Sequence, residues 1–562
     1  MTHSSTTHLV AIAMLFVASG IWGQTQTVGT FVNTEEAWPG YTLHDPMGTG
    51  NTYLIDACGQ VVQSWSSEYN SGGACYLLND GSLLRGCRIN GAFAGGGVGG
   101  RLEQRSWEGD LVWSLDFAND SMHHHHDVAW MPNGHVLVLA WESRSAQEAA
   151  AAGRVNPQLM WPESITEIQP TLPAGGEVVW EWHAWDHLVQ NTDANLEHFG
   201  EPSDHPELLD VNHAAVGGGG GPGGANSGDW MHANAVNYNA DLDQIAVSSR
   251  RFNEVWILDH NITTEEAQGA QGDLLYRFGN PAAYGLGEAD DQVLFGQHDV
   301  QWVPAGHPDA GSLVVYNNGD GRPGCNCSSI DVWSPPVNGE GAYEWVAGMP
   351  FGPESLDWSY PEVQTPTFFS PNISGVQPLP NGNYLICEGA EGHLFEVTQE
   401  GSVVWDYINP EGNFGPVPQG SNPNQNSVFR AYRYGMDHPA FEGKELVPGD
   451  PVQGPDDLDC VLLGDTGTSA IFTIAAAGLA PSLAPFPNPA RNMVQWESPS
   501  DGTWSLVNAQ GQSVMTGTST TGSIEFLEVG HLPRGLWTLI FQSEDSAWQR
   551  TCLLYTSPSP RD

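Results

Sequence analysis

A glycine followed four residues later by an aromatic recurs along the chain as Gly109…Trp113, Gly176…Trp180, Gly272…Tyr276, Gly341…Trp345 and Gly401…Trp405. A weaker sixth copy begins at Gly59, with Trp65 two residues late. Upstream of most copies a turn leads into an apolar run, as in Pro132-Asn-Gly-His-Val-Leu-Val-Leu, Asp243-Gln-Ile-Ala-Val, Gly311-Ser-Leu-Val-Val-Tyr and Pro380-Asn-Gly-Asn-Tyr-Leu-Ile. Asn-Gly between such runs is a hairpin signal, because both central turn residues need positive φ. A third short strand falls between, as in Glu254-Val-Trp-Ile-Leu-Asp and His393-Leu-Phe-Glu-Val. Each unit reads as a small antiparallel sheet with two faces to bury, and radial stacking buries both. The expected fold is all-β, a six-bladed β-propeller over residues 24–480. The spacing is uneven, with insertions at Ser145 to Ile165 and His183 to Asp229. The second holds a glycine run from Gly217 with no helix pattern after it, which reads as a flexible loop and not a phosphate cradle.

From Pro485 the composition changes. Short strands are expected at Val494, Trp504, Ser523 and Trp537, with turn residues between them, which suggests a small β-sandwich over 485–554. Ahead of the repeats, the apolar stretch Leu9 to Trp22 followed by Gly23-Gln24 reads as a signal peptide over 1–23, although its n-region carries His3 and His8 in place of Lys or Arg. The longest later apolar run, Ala470 to Ala480, is too short for a membrane span, so no transmembrane segment is expected.

Charge narrows the partners. The formal net charge is −49, which argues against nucleic acid and anionic membranes, since both need a cationic face. The single lysine, Lys444, does not follow a glycine-rich loop, which removes a P-loop. Cys325 and Cys327 stand one residue apart and Cys58, Cys75 and Cys87 cluster early, without the paired spacing of a zinc knuckle. One or two disulfides in an oxidising compartment are expected, with their pairing open.

In a propeller the first strand of each blade lines the central channel, so equivalent positions converge at one depth. His126-Asp-Val-Ala-Trp, His232-Ala-Asn-Ala-Val and His298-Asp-Val-Gln-Trp open three successive blades. The loops after these strands bring Glu142 and Arg144, then Arg250 and Arg251, then Arg322. Glu388 and His393 flank the last clear loop. In a chain so poor in basic residues, arginines in such loops suit a tetrahedral oxyanion such as a sulfate or phosphate ester. A single histidine serves equally well as a blade-to-blade hydrogen-bonding group. The run His123 to His126 alternates across a strand, so only alternate members are expected to share a site, and no dedicated metal centre is expected. Asn318-Gly-Asp-Gly carries an incomplete calcium-ligand pattern.

Asp229-Trp-Met-His232-Ala-Asn, Phe295-Gly-Gln-His298-Asp, Asn317-Asn-Gly-Asp-Gly-Arg322 and Gly392-His393-Leu-Phe-Glu-Val together resemble the arylsulfate sulfotransferase family, over roughly Ala129 to Pro410. The resemblance implies a six-bladed propeller that moves a sulfuryl group from a phenolic sulfate ester to a phenol through a sulfohistidine, with no metal, nucleotide or other cofactor. It implies His393 as nucleophile, with His232, His298 and Arg322 around the sulfuryl oxygens; His126, Arg250 and Glu388, from their blade and loop positions, are expected beside the substrate. An aryl sulfate hydrolase on the same site and a non-catalytic binding module are the alternatives. Pro487-Asn-Pro, Ser505-Leu-Val-Asn-Ala-Gln-Gly and His531-Leu-Pro-Arg-Gly-Leu-Trp-Thr-Leu resemble the sorting domain of the type IX secretion system, which implies export through the periplasm to the surface or medium. Tyr555 to Asp562 does not continue that pattern; it reads as an unassigned tail that need not be native.

Overall fold

Among the described residues, the repeats fold into six antiparallel sheets arranged as the blades of a propeller. The computed structural model describes residues 26–217, 228–362, 368–455 and 460. Beyond these it describes the strand-bearing stretches 493–497, 501–508, 513–520, 524–528, 535–542 and 547–554. The expected leader, most of the glycine run after Gly217 and the tail from 555 lie outside the described residues.

The inner strands of blades 2 to 6 are Ser71–Leu77, Met122–Trp130, Ala233–Asn239, His298–Trp302 and Gly375–Pro378. Each blade then runs outward in chain order. Blade 1 is composite. Its inner strand, Val428–Gly435, pairs antiparallel with Gly40–Pro46 from the other end of the domain. Gly29–Asn33 adds a fifth, outermost strand to blade 6. The two chain ends thus each complete the other's blade, which leaves the ring no open seam. A disulfide between Cys58 and Cys460 ties the segment after the last strand to blade 1, and a second joins Cys325 to Cys327.

The glycine–aromatic repeat has a physical cause. Gly59, Gly109 and Gly401 adopt φ of 78°, 91° and 82° in the tight turns between third and fourth strands, a region that costs any other L-residue about 1 kcal/mol or more. The aromatic that follows staples its blade to the next. Trp65 Nε1 donates to the Ser106 carbonyl (2.9 Å), Trp113 to Gly175 (2.7 Å), Trp180 to Ile262 (3.0 Å), Trp358 to Gln399 (3.0 Å) and Trp405 to Ala57 (2.8 Å). At the remaining junction the Tyr276 hydroxyl donates to the Gly352 carbonyl (2.7 Å). Each blade-to-blade bond contributes about 0.5–1.5 kcal/mol net, and the ring closes on the last of them.

Two local expectations change. The Gly341…Trp345 copy is not the outer strand of blade 5. That strand is Trp358–Tyr360, while Trp345 donates to Met349 inside an inserted hairpin. The Asn-Gly turns are not of the type with two positive φ angles either. Only Gly134 and Gly382 are left-handed, and each N–H bonds the carbonyl three residues back, at Met131 and Leu379. Pro132 and Pro380 then occupy the second turn position, where their fixed φ belongs, and the glycine forms the bulge.

Packing between blades is apolar. Val314, Tyr316, Ile330 and Val332 of blade 5 meet Val376, Tyr384, Ile386 and Phe395 of blade 6. After the propeller, Met493–Glu497 pairs with Ile524–Glu528. A separate sheet runs Ser513–Ser519, Gly502–Asn508, Gly535–Gln542, Ala547–Leu554. Four of these six strands fall at the runs expected near Val494, Trp504, Ser523 and Trp537, while Ser513–Ser519 and Ala547–Leu554 lie outside the expected runs.

Candidate active site

The inner strands of blades 3, 4 and 5 each carry a register shift against their neighbours, in mid-strand in blade 3 and near the start in blades 4 and 5. There His126, His232 and Asp299 take φ of 56°, 51° and 58°. Left-handed backbone at non-glycine residues is uncommon, and a bulge of this kind re-aims side chains. It does so here. The rings of His126 and His232 meet edge to face with centroids 4.8 Å apart. His298 is close enough that charge on either ring disfavours charge on it. The structure therefore brings together the three histidines that open successive blades.

Each ring is anchored through Nδ1. His232 Nδ1 is 2.6 Å from Asp229 Oδ2, and Arg251 Nε approaches the same carboxylate at 3.7 Å. His298 Nδ1 faces the Gly296 carbonyl (3.1 Å) and Asn318 Oδ1 (2.7 Å). A carbonyl only accepts, so Nδ1 of His298 carries the proton and its Nε2 carries a lone pair. Burial first, then the charge of Arg250, holds this imidazole well below the ordinary range, and it is neutral. His126 Nδ1 is 2.8 Å from His125 Nδ1. The expected alternation across the strand fails at this pair: the positive φ of His126 turns adjacent rings toward each other. His123 and His124 serve elsewhere. His124 Nδ1 accepts from the Gly100 N–H (3.0 Å), and a Cβ on Gly91 or Gly100 would strike His123.

A glycine-rich strap, Gly91 to Gly100, lies against the cluster. A Cβ on Gly95 would collide with Trp141, and one on Gly97 with the His126 ring; on Gly96 it would touch His232 at 3.4 Å. His126 N–H donates to the Gly97 carbonyl (2.9 Å), which fixes the strap in place. Only glycine allows backbone this close to the rings.

The arginines flank the same strands. Arg250 Nη2 pairs with Asp320 (2.8 Å) and packs against Gly296, two residues before His298. Asp320, the acidic member of the calcium-like loop, is engaged by that contact. Arg322 donates from Nη2 to Ser329 Oγ (2.9 Å) and its guanidinium lies 5.6 Å from the Phe295 ring centroid. Its Nε and Nη1 are buried and, among the described residues, meet no acceptor. Burial, partly offset by Asp331, shifts it downward.

His393 stands elsewhere, at the start of the third strand of blade 6. Its Nδ1 is 2.9 Å from Glu388 Oε2, its Nε2 is 3.0 Å from Asp406 Oδ2, and its ring stacks on Phe395. Burial opposes charge here, but Asp406 and Glu388 outweigh it and push the imidazole up to about 9. With both nitrogens protonated the ring has no lone pair. Glu388 also accepts from the Phe369 N–H (3.2 Å).

Sequence reasoning passed over a second layer, one residue below the histidines. Arg430, on the closing strand of blade 1, reaches Asp127 Oδ2 (2.6 Å), the Asn234 carbonyl (2.6 Å) and Asp299 Oδ1 (3.3 Å), spanning blades 3, 4 and 5. Burial disfavours its charge, but Asp127 and Asp299 outweigh burial and keep it protonated. Asp127 also accepts from Tyr76 Oη (2.6 Å) and from the Val236 N–H (3.0 Å). The signal for Arg430 is an arginine inside an apolar strand. The signal for the strap is a second glycine run in the same chain.

A six-bladed propeller whose inner strands bring a histidine cluster together, with arginines in the adjoining loops, defines the class by its fold. The arylsulfotransferase model matches residues 24–415, and the chain belongs to that family. The model of a secretion system C-terminal sorting domain matches residues 484–554. That domain marks a secreted or cell-surface protein handled by the type IX secretion machinery, and among the described residues no helix is long and apolar enough to cross a membrane. No curated protein matches the chain. Among solved structures, a protein of unknown function from Bacteroides caccae is similar at 14% identity, covering 66% of this chain and 93% of its own, with a TM-score of 0.36. The periplasmic gluconolactonase of Pseudomonas aeruginosa is similar at 10% identity over 87% of this chain and 98% of its own, with a TM-score of 0.33.

Proposed function

We propose that this exported protein moves a sulfuryl group from a phenolic sulfate ester to a phenol through a sulfated histidine, with His232 as the nucleophile. One observation carries the reading: three imidazoles are anchored by Nδ1, which leaves Nε2 as the nitrogen that can meet a ligand, and Arg322, in a loop of blade 5, has its buried Nε and Nη1 without an acceptor among the described residues. Guanidinium N–H groups match the oxygens of a sulfate ester. Asp229 takes the Nδ1 proton of His232 as a hydrogen bond, which fixes the tautomer and offsets positive charge that develops on the ring.

In the first half-reaction Nε2 of His232 attacks sulfur in line. The N–S bond forms, the S–O bond breaks, and its electron pair leaves on the phenolic oxygen. In the second, the acceptor oxygen attacks sulfur and the N–S pair returns to Nε2. Arg322 and Arg250 hold the sulfuryl oxygens as charge redistributes, and His298 lines the same space. His393, which the family motif would make the nucleophile, and Glu388, expected beside the substrate, are proposed as a charged clamp within blade 6. The leader over 1–23, and a small sandwich formed by the strands within 485–554, belong to the same reading.

The test is incubation with an aryl sulfate, with and without added phenol. Phenol release that rises with acceptor, with sulfated acceptor as product, is the expected result. Release indifferent to acceptor assigns a hydrolase, and no release from several aryl sulfates favours a binding module. A phenol burst lost in His232→Ala and kept in His393→Ala supports His232; the reverse moves the nucleophile to His393.

A further inference from the structure

Behind His126 runs a line of buried groups that the transfer reaction above does not use. Glu163 opens the third strand of blade 3, and His125 and His126 sit on its inner strand. Glu163 Oε2 is 2.7 Å from His125 Nε2, and His125 Nδ1 is 2.8 Å from His126 Nδ1. The other carboxyl oxygen, Oε1, accepts from the Ala233 N–H at 2.8 Å, beside His232. The His125 ring lies flat on the Trp141 indole, 4.0 Å between centroids and 13° between planes, so it has no freedom to turn away. All three residues are buried.

Resting on the sulfuryl-transfer reading, we propose that Glu163, His125 and His126 form a proton relay in which His126 Nε2 is the acid and base toward the phenol oxygens and Glu163 is the proton store. The hydrogen-bond grammar of the line permits two arrangements. In one, Glu163 is a carboxylate, His125 carries its proton on Nε2 and His126 on Nδ1, which leaves a lone pair on His126 Nε2. In the other, Glu163 is protonated, His125 carries its proton on Nδ1 and His126 on Nε2. They differ by one proton. A proton received at His126 Nε2 sends the Nδ1 proton of His126 to His125 and the Nε2 proton of His125 to Glu163.

His126 thereby handles a proton without becoming an imidazolium, which its surroundings resist. Burial comes first, and His232, His125, His298 and Arg430 all disfavour a further positive charge there. Burial of Glu163, with Asp229 and Glu142 nearby, favours its protonated form, against the opposing Ala233 N–H. The balance closes over one turnover. The departing phenolate takes a proton from His126 Nε2 as the S–O bond breaks, and Glu163 becomes a carboxylate. The acceptor phenol then gives its proton to His126 Nε2 as its oxygen attacks sulfur, and Glu163 is protonated again. Glu163 and His125 are positioning and relay residues; only His126 touches the reacting oxygen.

The experiment compares the unmodified protein with Glu163→Gln and His126→Gln across aryl sulfates whose phenols differ in acidity. A poor leaving group such as phenolate, with a pKa of about 10, needs the proton, while a nitrophenolate needs it far less. General acid–base assistance is typically worth 10²–10⁴-fold. Both variants are therefore expected to lose roughly a hundredfold or more with phenyl sulfate and little with nitrophenyl sulfate, giving a steeper dependence on leaving-group acidity. A uniform loss across the series, or an unchanged slope, overturns the relay. No turnover of any ester by the unmodified protein instead overturns the sulfuryl-transfer reading. Should a variant fail to fold, nitrogen-15 histidine spectra of the unmodified protein decide. The relay requires His125 and His126 both neutral near pH 7, and an imidazolium signature on either refutes it.

Discussion

Asp229 Oδ2 stands 2.6 Å from Nδ1 of His232, three residues later in the chain. The left-handed backbone at His232, φ 51°, lets so short a loop return on itself at the head of an inner strand. Burial alone would raise the carboxyl, but His232 and Arg251 overcome it and hold Asp229 below its ordinary value, so it stays ionised. An ionised orienting carboxylate fixes which imidazole nitrogen meets the ligand.

Asp229→Asn keeps the shape and removes that control. The amide can donate to Nδ1, which moves the ring proton to Nε2 and blocks the lone pair. Turnover of an aryl sulfate is expected to fall roughly 10²–10⁴-fold, with KM little changed. Steady-state kinetics read this directly. An Asn variant with unchanged kcat removes His232 from the nucleophile's position.

The staples predict a stability effect distributed round the ring. Trp405→Phe keeps one aromatic ring and removes the donor to the Ala57 carbonyl with the five-membered ring that carries it, at the junction between blade 6 and blade 1. Stability is expected to fall by about 1 kcal/mol from the lost bond and further from the cavity left in a buried site, read from urea unfolding. Trp345→Phe, whose indole bonds only within its own insertion, is expected to leave the blade junction unaffected.

Much of this was legible in the sequence because it follows from local chemistry. The glycine of each repeat is set by a tight turn, which is local, and the aromatic stands at a fixed offset from it, although the carbonyl it staples belongs to the next blade. Three of the four transferase-like motif residues, His232, His298 and Arg322, fall beside the inner strands of blades 4 and 5. Arg430 was not legible, because its partners Asp127 and Asp299 are brought to it only by ring closure. The pairing of His125 with His126 was hidden by the alternation rule, which the φ of His126 breaks. The environment of His393 depends on Asp406, contributed by a neighbouring strand, and no motif reports it.

Arg430→Met tests the layer beneath the histidines. Removing the cation strands Asp127 and Asp299 in a buried site, and a broken buried pair costs about 3–5 kcal/mol. Denaturation should show that loss. Adding Asp127→Asn and Asp299→Asn to Arg430→Met is expected to recover much of it, since the uncompensated charge is then gone. A triple variant no more stable than the single one would assign the loss to packing.

His393 supplies the last prediction, through pH. Its folded-state value, about 9, lies above the 6.5 of a free imidazole, with Asp406 and Glu388 outweighing burial. The sign follows: the folded state binds this proton more tightly than the unfolded state does. The ion-pair contribution is therefore fully present below about pH 6.5, declines above it and is gone once pH passes about 9. His393→Gln is accordingly expected to be clearly less stable than the unmodified protein at pH 6, with the gap narrowing steadily toward pH 9.5. Urea midpoints measured across that range give the answer. A gap independent of pH would mean that His393 is neutral in the fold, with a lone pair available for chemistry.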